Sequence, residues 1–143
     1  STGADGADPV LIVDLLGEMP RWYAAAGICF VGGSLADRGG HTPWEPAAHR
    51  CAILHGPHVS NFTDAYAALA EAGAAERIGT GALPERLAAL AGDPAAARAM
   101  GHAARGVLDA RAGDPARLIA LLSDLADPAA RHDIKKIPPE DER

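Results

Sequence analysis

Apolar runs of four or five residues recur through the first half of the chain: Val10–Val13, Ile28–Val31, Cys51–His55 and, more weakly, Ala74–Ile78. Each is bounded by glycine, proline or acidic residues, as buried strands are. The segments between them read as helices. One is expected over about Pro20–Ala26, stopped by Gly27. Another starts at Pro43 and runs to about His49 or Arg50. A third is capped by Asn61, with Asp64 at its third position, and runs to about Ala72 with Gly73 as its stop. From Leu83 onward the period changes. Leu83, Leu87 and Leu90 repeat at helical spacing, and so do Met100, Ala104, Val107 and Leu108. Leu118, Leu121, Leu122 and Leu125 form a further stripe, and all these stripes are expected to face a core. Gly92-Asp93-Pro94 and Gly113-Asp114-Pro115 are stop, cap and start signals for the helices that follow. Strands alternating with helices predict an α/β fold, a parallel sheet with helices on its faces.

The densest stretch lies after the second strand, Gly32-Gly33-Ser34-Leu35-Ala36-Asp37-Arg38-Gly39-Gly40-His41-Thr42-Pro43-Trp44-Glu45-Pro46. Thr42 suits an N-cap, Pro43 the first helical position and Glu45 the third, which makes a capping box. The order is strand, glycine-rich loop, helix start. Backbone amides in such loops approach anions closely, and a helix N-terminus favours negative charge. Gly33, Ser34, Gly39, Gly40 and His41 are therefore candidates for a phosphate loop. Glu45 is placed to accept from a sugar hydroxyl or to close the capping box. His41, Glu45 and His49 are spaced like a metal face, but His41 precedes the helix and is off its repeat, so His41 is read as a phosphate neighbour.

Asp14, Glu18, Ser34, His41, Glu45, His55, His58 and Asn61 all follow strands in this reading. Ligands of α/β sheets collect outside the carboxyl ends of strands, so one ligand edge is expected. Asp14 also suits a turn cap, and His55 and His58 suit ordinary turn positions beside Gly56-Pro57. Ser34 has no nucleophile-elbow context, and no Ser-His-Asp triad is supported.

With 143 residues, 48% of them hydrophobic, the chain suits one domain with an aliphatic core. A net charge of −6 gives no basic footprint for nucleic acid, nor an attractive surface for anionic lipid. No apolar run approaches the ~20 residues of a membrane span. Cys29 and Cys51 read as small buried hydrophobes of a reducing compartment, and their spacing suggests no zinc site. No acidic cluster calls for a metal, and no cofactor is implied. Residues 1–9 are expected to form a flexible leader, 10–126 the folded domain and 127–143 a polar tail.

Several stretches together resemble a known family. Val10-Leu11-Ile12-Val13-Asp14-Leu15-Leu16-Gly17-Glu18-Met19, Phe30-Val31-Gly32-Gly33-Ser34-Leu35, Arg38 to Ala47, His55-Gly56-Pro57-His58 and Asn61-Phe62 are similar, in order and spacing, to the C-terminal domain of bacterial Kdo (3-deoxy-D-manno-octulosonic acid) transferases. The resemblance runs from about Val10 to Leu125, and its GGH-x-P-x-E block is specific. It implies a Rossmann-like domain of GT-B architecture that binds the donor CMP-Kdo. Leu16, Gly17 and Glu18 fall on the family's first CMP-contacting turn, and Thr42, Pro43, Trp44 and Glu45 on its second. The chain departs from the family pattern at Leu15-Leu16, Thr42 and Trp44.

The resemblance further implies that the parent enzyme moves Kdo to a lipid A precursor in lipopolysaccharide biosynthesis, at the cytoplasmic face of the inner membrane. Displacement occurs at the anomeric carbon with inversion, and CMP leaves. The acceptor and membrane contacts belong to an N-terminal domain outside this sequence. The chain is therefore expected to be a partial C-terminal domain, with no catalytic residue of its own and no activity alone. Its sheet is expected either to pair Val10–Val13 with Ile28–Val31 or to leave an open edge that favours dimerisation. A non-catalytic nucleotide- or phosphosugar-binding module, and a GT-B-fold UDP-sugar epimerase, are the alternatives.

Overall fold

A computed structural model of the chain describes residues 10–113, together with Ile119, Leu122 and Ser123. The expected leader (1–9), the tail (127–143), Asp114-Pro115 and the stripe residues Leu118, Leu121 and Leu125 lie outside the described residues. The chain divides after Val107 into two compact units.

The first unit holds a three-stranded parallel sheet in the order β1-β2-β3, with β1 Ile28–Val31, β2 Ala52–His55 and β3 Ala75–Arg77. Ile28 pairs with Ala52 and Val31 with His55, while Ile53 pairs with Ala75 and His55 with Arg77. β2 is buried throughout, which is why its sequence is an unbroken apolar run. Alternation sorts the sheet's faces. Ile28, Phe30, Ala52 and Leu54 join Ile78, Leu83, Leu87, Leu90, Ala97 and Met100 in one apolar cluster. That face is covered by α4 (Leu83–Gly92) and α5 (Pro94–Arg111). On the other face, His55 of β2 lies against Tyr66 of α3 (Thr63–Glu71). Cys51, just before β2, points its thiol at the Tyr23 and Ala26 carbonyls at the end of α1 (Met19–Ala25), at 3.3 and 3.2 Å. The remaining helix, α2 (Trp44–Ala48), lies beside α1 and β2.

Several local expectations hold. Asp93 caps α5, its carboxylate accepting from the Ala95 and Ala96 amides at 3.1 and 3.0 Å. Gly101, which the sequence did not single out, lets α5 lie directly on the Arg50 carbonyl, where any Cβ would overlap the backbone. Gly73 closes α3 at φ +63°.

Others are corrected. Val10–Val13 is no strand: Val10, Leu11 and Ile12 are 89, 70 and 85% exposed, and the run pairs with no strand among the described residues. A short β-prone segment needs a neighbour to supply its ladder, and among the described residues β1 bonds only to β2. The free edge of β1 is thus the outcome seen among the described residues. Asn61 does not cap α3. A 3₁₀ turn, Ser60–Phe62, comes first, and Phe62 takes the cap position. In the second unit the end of α5 is closed by the Ala112 amide on the Leu108 carbonyl at 2.9 Å. There Leu122, expected in a core-facing stripe, is 57% exposed.

Candidate functional site

The loop after β1 folds back on itself. The Gly40 amide donates to the Gly33 carbonyl at 3.0 Å, and the His41 amide to the Gly32 carbonyl at 3.3 Å. The loop after β2 then braces it. The His58 amide donates to the Ser34 carbonyl at 2.9 Å and the Asn61 amide to the Gly39 carbonyl at 3.0 Å. Gly33, Gly39 and Gly40 sit at φ +69°, +79° and +71°. A Cβ on Gly39 would overlap the Asn61 side chain, and one on Gly56 would overlap the Ser34 carbonyl. The glycine density therefore serves turn geometry and loop-on-loop contact.

Ser34 is turned inward and fully buried. Its hydroxyl donates to the Val31 carbonyl at 2.6 Å and accepts from the buried Gly56 amide at 2.9 Å. Both bonds lie inside the brace, so its side chain is not a phosphate ligand here. Gly39 and Gly40 are likewise buried under the second loop.

The helix after the loop starts later than expected. Pro43 is its N-cap, and Thr42 Oγ1 accepts from the Trp44 amide at 3.3 Å. Glu45 falls one position short of the capping-box site and makes no cap bond. α2 has five residues and stops before Arg50, which takes a left-handed φ of +57°. A helix this short carries little macrodipole, so its local amides and hydroxyl must do the work expected of the dipole.

A cleft of about 450 Å³ opens at the carboxyl end of β1, lined by Met19, Tyr23, Cys29, Phe30, Val31, Gly32, His41, Thr42 and Glu45. The structure thus brings His41, Thr42 and Glu45 together with Met19, the residue next to Glu18. Leu16 is fully exposed and Gly17 takes φ +82° in the turn before α1. Glu18 pairs with Arg21 at 2.7 Å. Leu16, Gly17, Glu18, Pro43 and Trp44 stand outside the lining, and so do the remaining loop candidates. His49 does not join His41 and Glu45; its ring stacks on Tyr23 at 6.1 Å. Sequence reasoning missed Met19, Tyr23 and Cys29 as lining. The signal was present: Met19 and Tyr23 share a helix face four residues apart, and Cys29 and Val31 share a strand face.

Two groups in the cleft wall, Cys29 and Tyr23, are held protonated. Burial pushes the Cys29 thiol up to about 11, and burial with nearby Cys29 and Glu45 pushes the Tyr23 phenol up to about 12. Behind the loop, buried His55 donates from Nδ1 to the Gly56 carbonyl at 2.7 Å, and desolvation lowers its pKa. His58 lies 3.8 Å from Asp37 at the surface. A second cleft of about 230 Å³, lined by Gly27, Ile28, Arg50, Leu90, Pro94, Ala97 and Arg98 among others, opens at the amino end of β1.

Parallel strands, helices on both faces and a loop-lined cleft at the carboxyl edge define a Rossmann-like α/β segment. Comparison with solved structures agrees. The fold matches the C-terminal CMP-Kdo binding domain of WaaA from Acinetobacter baumannii with a TM-score of 0.63 and 30% identity, over 67% of this chain and 51% of that one. The chain is 46% identical over 98 residues to the 3-deoxy-D-manno-octulosonic acid transferase of Bordetella pertussis, and 36% identical over 115 residues to that of Haemophilus influenzae. These alignments cover 67% and 79% of this chain. The chain belongs to the Kdo transferase family, as a segment of its C-terminal part. It spans about a quarter of the length of these relatives, 23% and 27%. No protein-family model matches it. Among the described residues, no helix is long and apolar enough to cross a membrane.

Proposed function

We propose that this chain is the donor-holding segment of a Kdo transferase, and that the cleft beside β1 takes the cytidine monophosphate end of CMP-Kdo. The observation that carries this reading is the convergence of His41, Thr42 and Glu45 with Met19 on one cleft at the carboxyl edge of the sheet. Three of these four residues belong to the loop block most specific to the family.

The chemistry divides naturally. Thr42 Oγ1 accepts from the Trp44 amide, which leaves its hydroxyl proton for a ligand oxygen. His41 is exposed at the loop end, suited to a phosphate oxygen. The Glu45 carboxylate would repel phosphate, so it serves the ribose hydroxyls. Leu16, Gly17 and Glu18 form the lip beside Met19, and Pro43 and Trp44 contribute backbone and bulk at the start of α2. Gly33, Ser34, Gly39 and Gly40 act indirectly, by giving the loop its shape. In the parent enzyme the acceptor is a lipid A precursor, the setting is lipopolysaccharide biosynthesis at the cytoplasmic face of the inner membrane, and CMP departs with its developing charge met by the donors at His41 and Thr42. The chain alone transfers nothing.

Calorimetric titration of the chain with CMP and UMP tests the reading. Binding of CMP at least severalfold tighter than UMP is expected. Equal heats from both, or a preference for UMP, would overturn it and favour a uridine-nucleotide enzyme.

A further inference from the structure

Tyr66 belongs to none of the stretches that define the cleft, yet it is tied to them. It is 3% exposed, on α3, and its hydroxyl donates to the His41 carbonyl at 2.9 Å across 25 residues of sequence. His41 is the last loop residue before Thr42 and α2. The Tyr66 ring is held in turn. It lies against the His55 imidazole at a centroid separation of 4.3 Å and a tilt of 43°, and His55 is locked by its own Nδ1–H bond to the Gly56 carbonyl at 2.7 Å. One end of this chain of contacts is the carboxyl end of β2, and the other is the cleft lip.

We propose that Tyr66 is a positioning residue for the donor site: its hydroxyl fixes the His41 carbonyl, and so sets where the His41 ring, the Thr42 hydroxyl and the Glu45 carboxylate meet a ligand. This rests on the donor-site reading above. The geometry gives a reason. The loop's own closures hold its base at Gly32-Gly33 and Gly40-His41, and the second loop holds its lobe at Ser34 and Gly39. The Tyr66 bond holds the point where the loop turns into α2. Because α2 is only five residues long, its direction depends on that anchor more than on internal helical bonds. Burial raises the Tyr66 phenol's pKa, so the hydroxyl stays a donor at any working pH.

The test is Tyr66→Phe in the isotope-labelled chain, beside Leu69→Val as a control that trims a fully buried side chain on the same helix. Amide hydrogen exchange and CMP affinity are read at a temperature where both variants are folded. Tyr66→Phe is expected to speed exchange at Gly40, His41, Thr42 and Glu45 and to weaken CMP, each by about fivefold to tenfold, the loss of one well-placed hydrogen bond. Leu69→Val is expected to change both by less than about twofold, the effect of a remote packing loss. Unchanged exchange and affinity in Tyr66→Phe, or equal losses in Leu69→Val, would overturn the proposal. If the wild-type chain binds no CMP, the donor reading falls, and the exchange comparison alone decides whether Tyr66 anchors the loop.

Discussion

Ser34 separates two accounts of the glycine-rich loop. If its hydroxyl were a phosphate ligand, removing it would weaken ligand binding and leave folding alone. The structure instead gives it two internal bonds, to the Val31 carbonyl at 2.6 Å and from the Gly56 amide at 2.9 Å, at a site with no solvent exposure. Ser34→Ala leaves the buried Gly56 N–H without a partner, costing about 1–3 kcal/mol, and forfeits the bond to Val31, about 1 kcal/mol more. A loss of about 2–4 kcal/mol is expected. With a urea slope of about 2 kcal/mol/M, mid-range for a small domain, the midpoint falls by about 1–2 M at unchanged slope. Urea unfolding followed by far-ultraviolet circular dichroism reads this directly. A loss below about 0.5 kcal/mol would show that the hydroxyl is replaceable and refute the brace. Gly56→Ala attacks the same contact from the other loop. Combining it with Ser34→Ala should cost less than the sum of the two.

Other outcomes follow from the same geometry. Gly101→Ala gains about 1 kcal/mol of helix propensity but drives a methyl into the Arg50 carbonyl, so a net loss of about 1–2 kcal/mol is expected in the same unfolding assay. His55 carries a folded-state pKa below its unfolded value near ~6.5. The unfolded chain therefore binds the proton first. Stability is full above about pH 6.5 and falls as pH drops below it, by up to about 1.4 kcal/mol per unit. His55→Asn, which can keep the donor to Gly56, should remove that part of the slope in melts taken between pH 7 and pH 5. Thr42→Val should weaken CMP by roughly tenfold in calorimetry without changing the unfolding free energy by more than about 0.5 kcal/mol, since its hydroxyl is half-exposed and its bond to the Trp44 amide is long.

What could be read from sequence was local, and what could not was pairwise. β1 and β2 are apolar runs between breakers, and the Asp93 cap is a local hydrogen-bond pattern, so both were legible. Val10–Val13 has the same local character as β1 but no neighbouring strand among the described residues, and a strand is a property of two segments. The capping box at Thr42 to Glu45 failed by one residue, because the helix begins at Trp44 and ends before an arginine in left-handed geometry, where no glycine marked the stop. That a cleft would open at the carboxyl edge was legible because strand ends can be read from sequence. Which loop residues face the cleft was not, because that is decided by the second loop packing onto the first. Ser34 and Asn61 are spent on that packing, while His41, Thr42 and Glu45 are left facing outward. Met19 and Tyr23 reach the site only through the placement of α1 beside α2.

If the cleft at the carboxyl end of β1 is the donor site, CMP must perturb the residues that line it. Backbone amide shifts of the labelled chain under titration with CMP, with UMP as comparison, test it most directly. Shifts concentrated at Met19, Tyr23, Gly32, His41, Thr42 and Glu45 are expected, and weaker ones with UMP. Shifts gathered instead around Gly27, Arg50, Leu90 and Arg98, at the opposite end of the sheet, would contradict it.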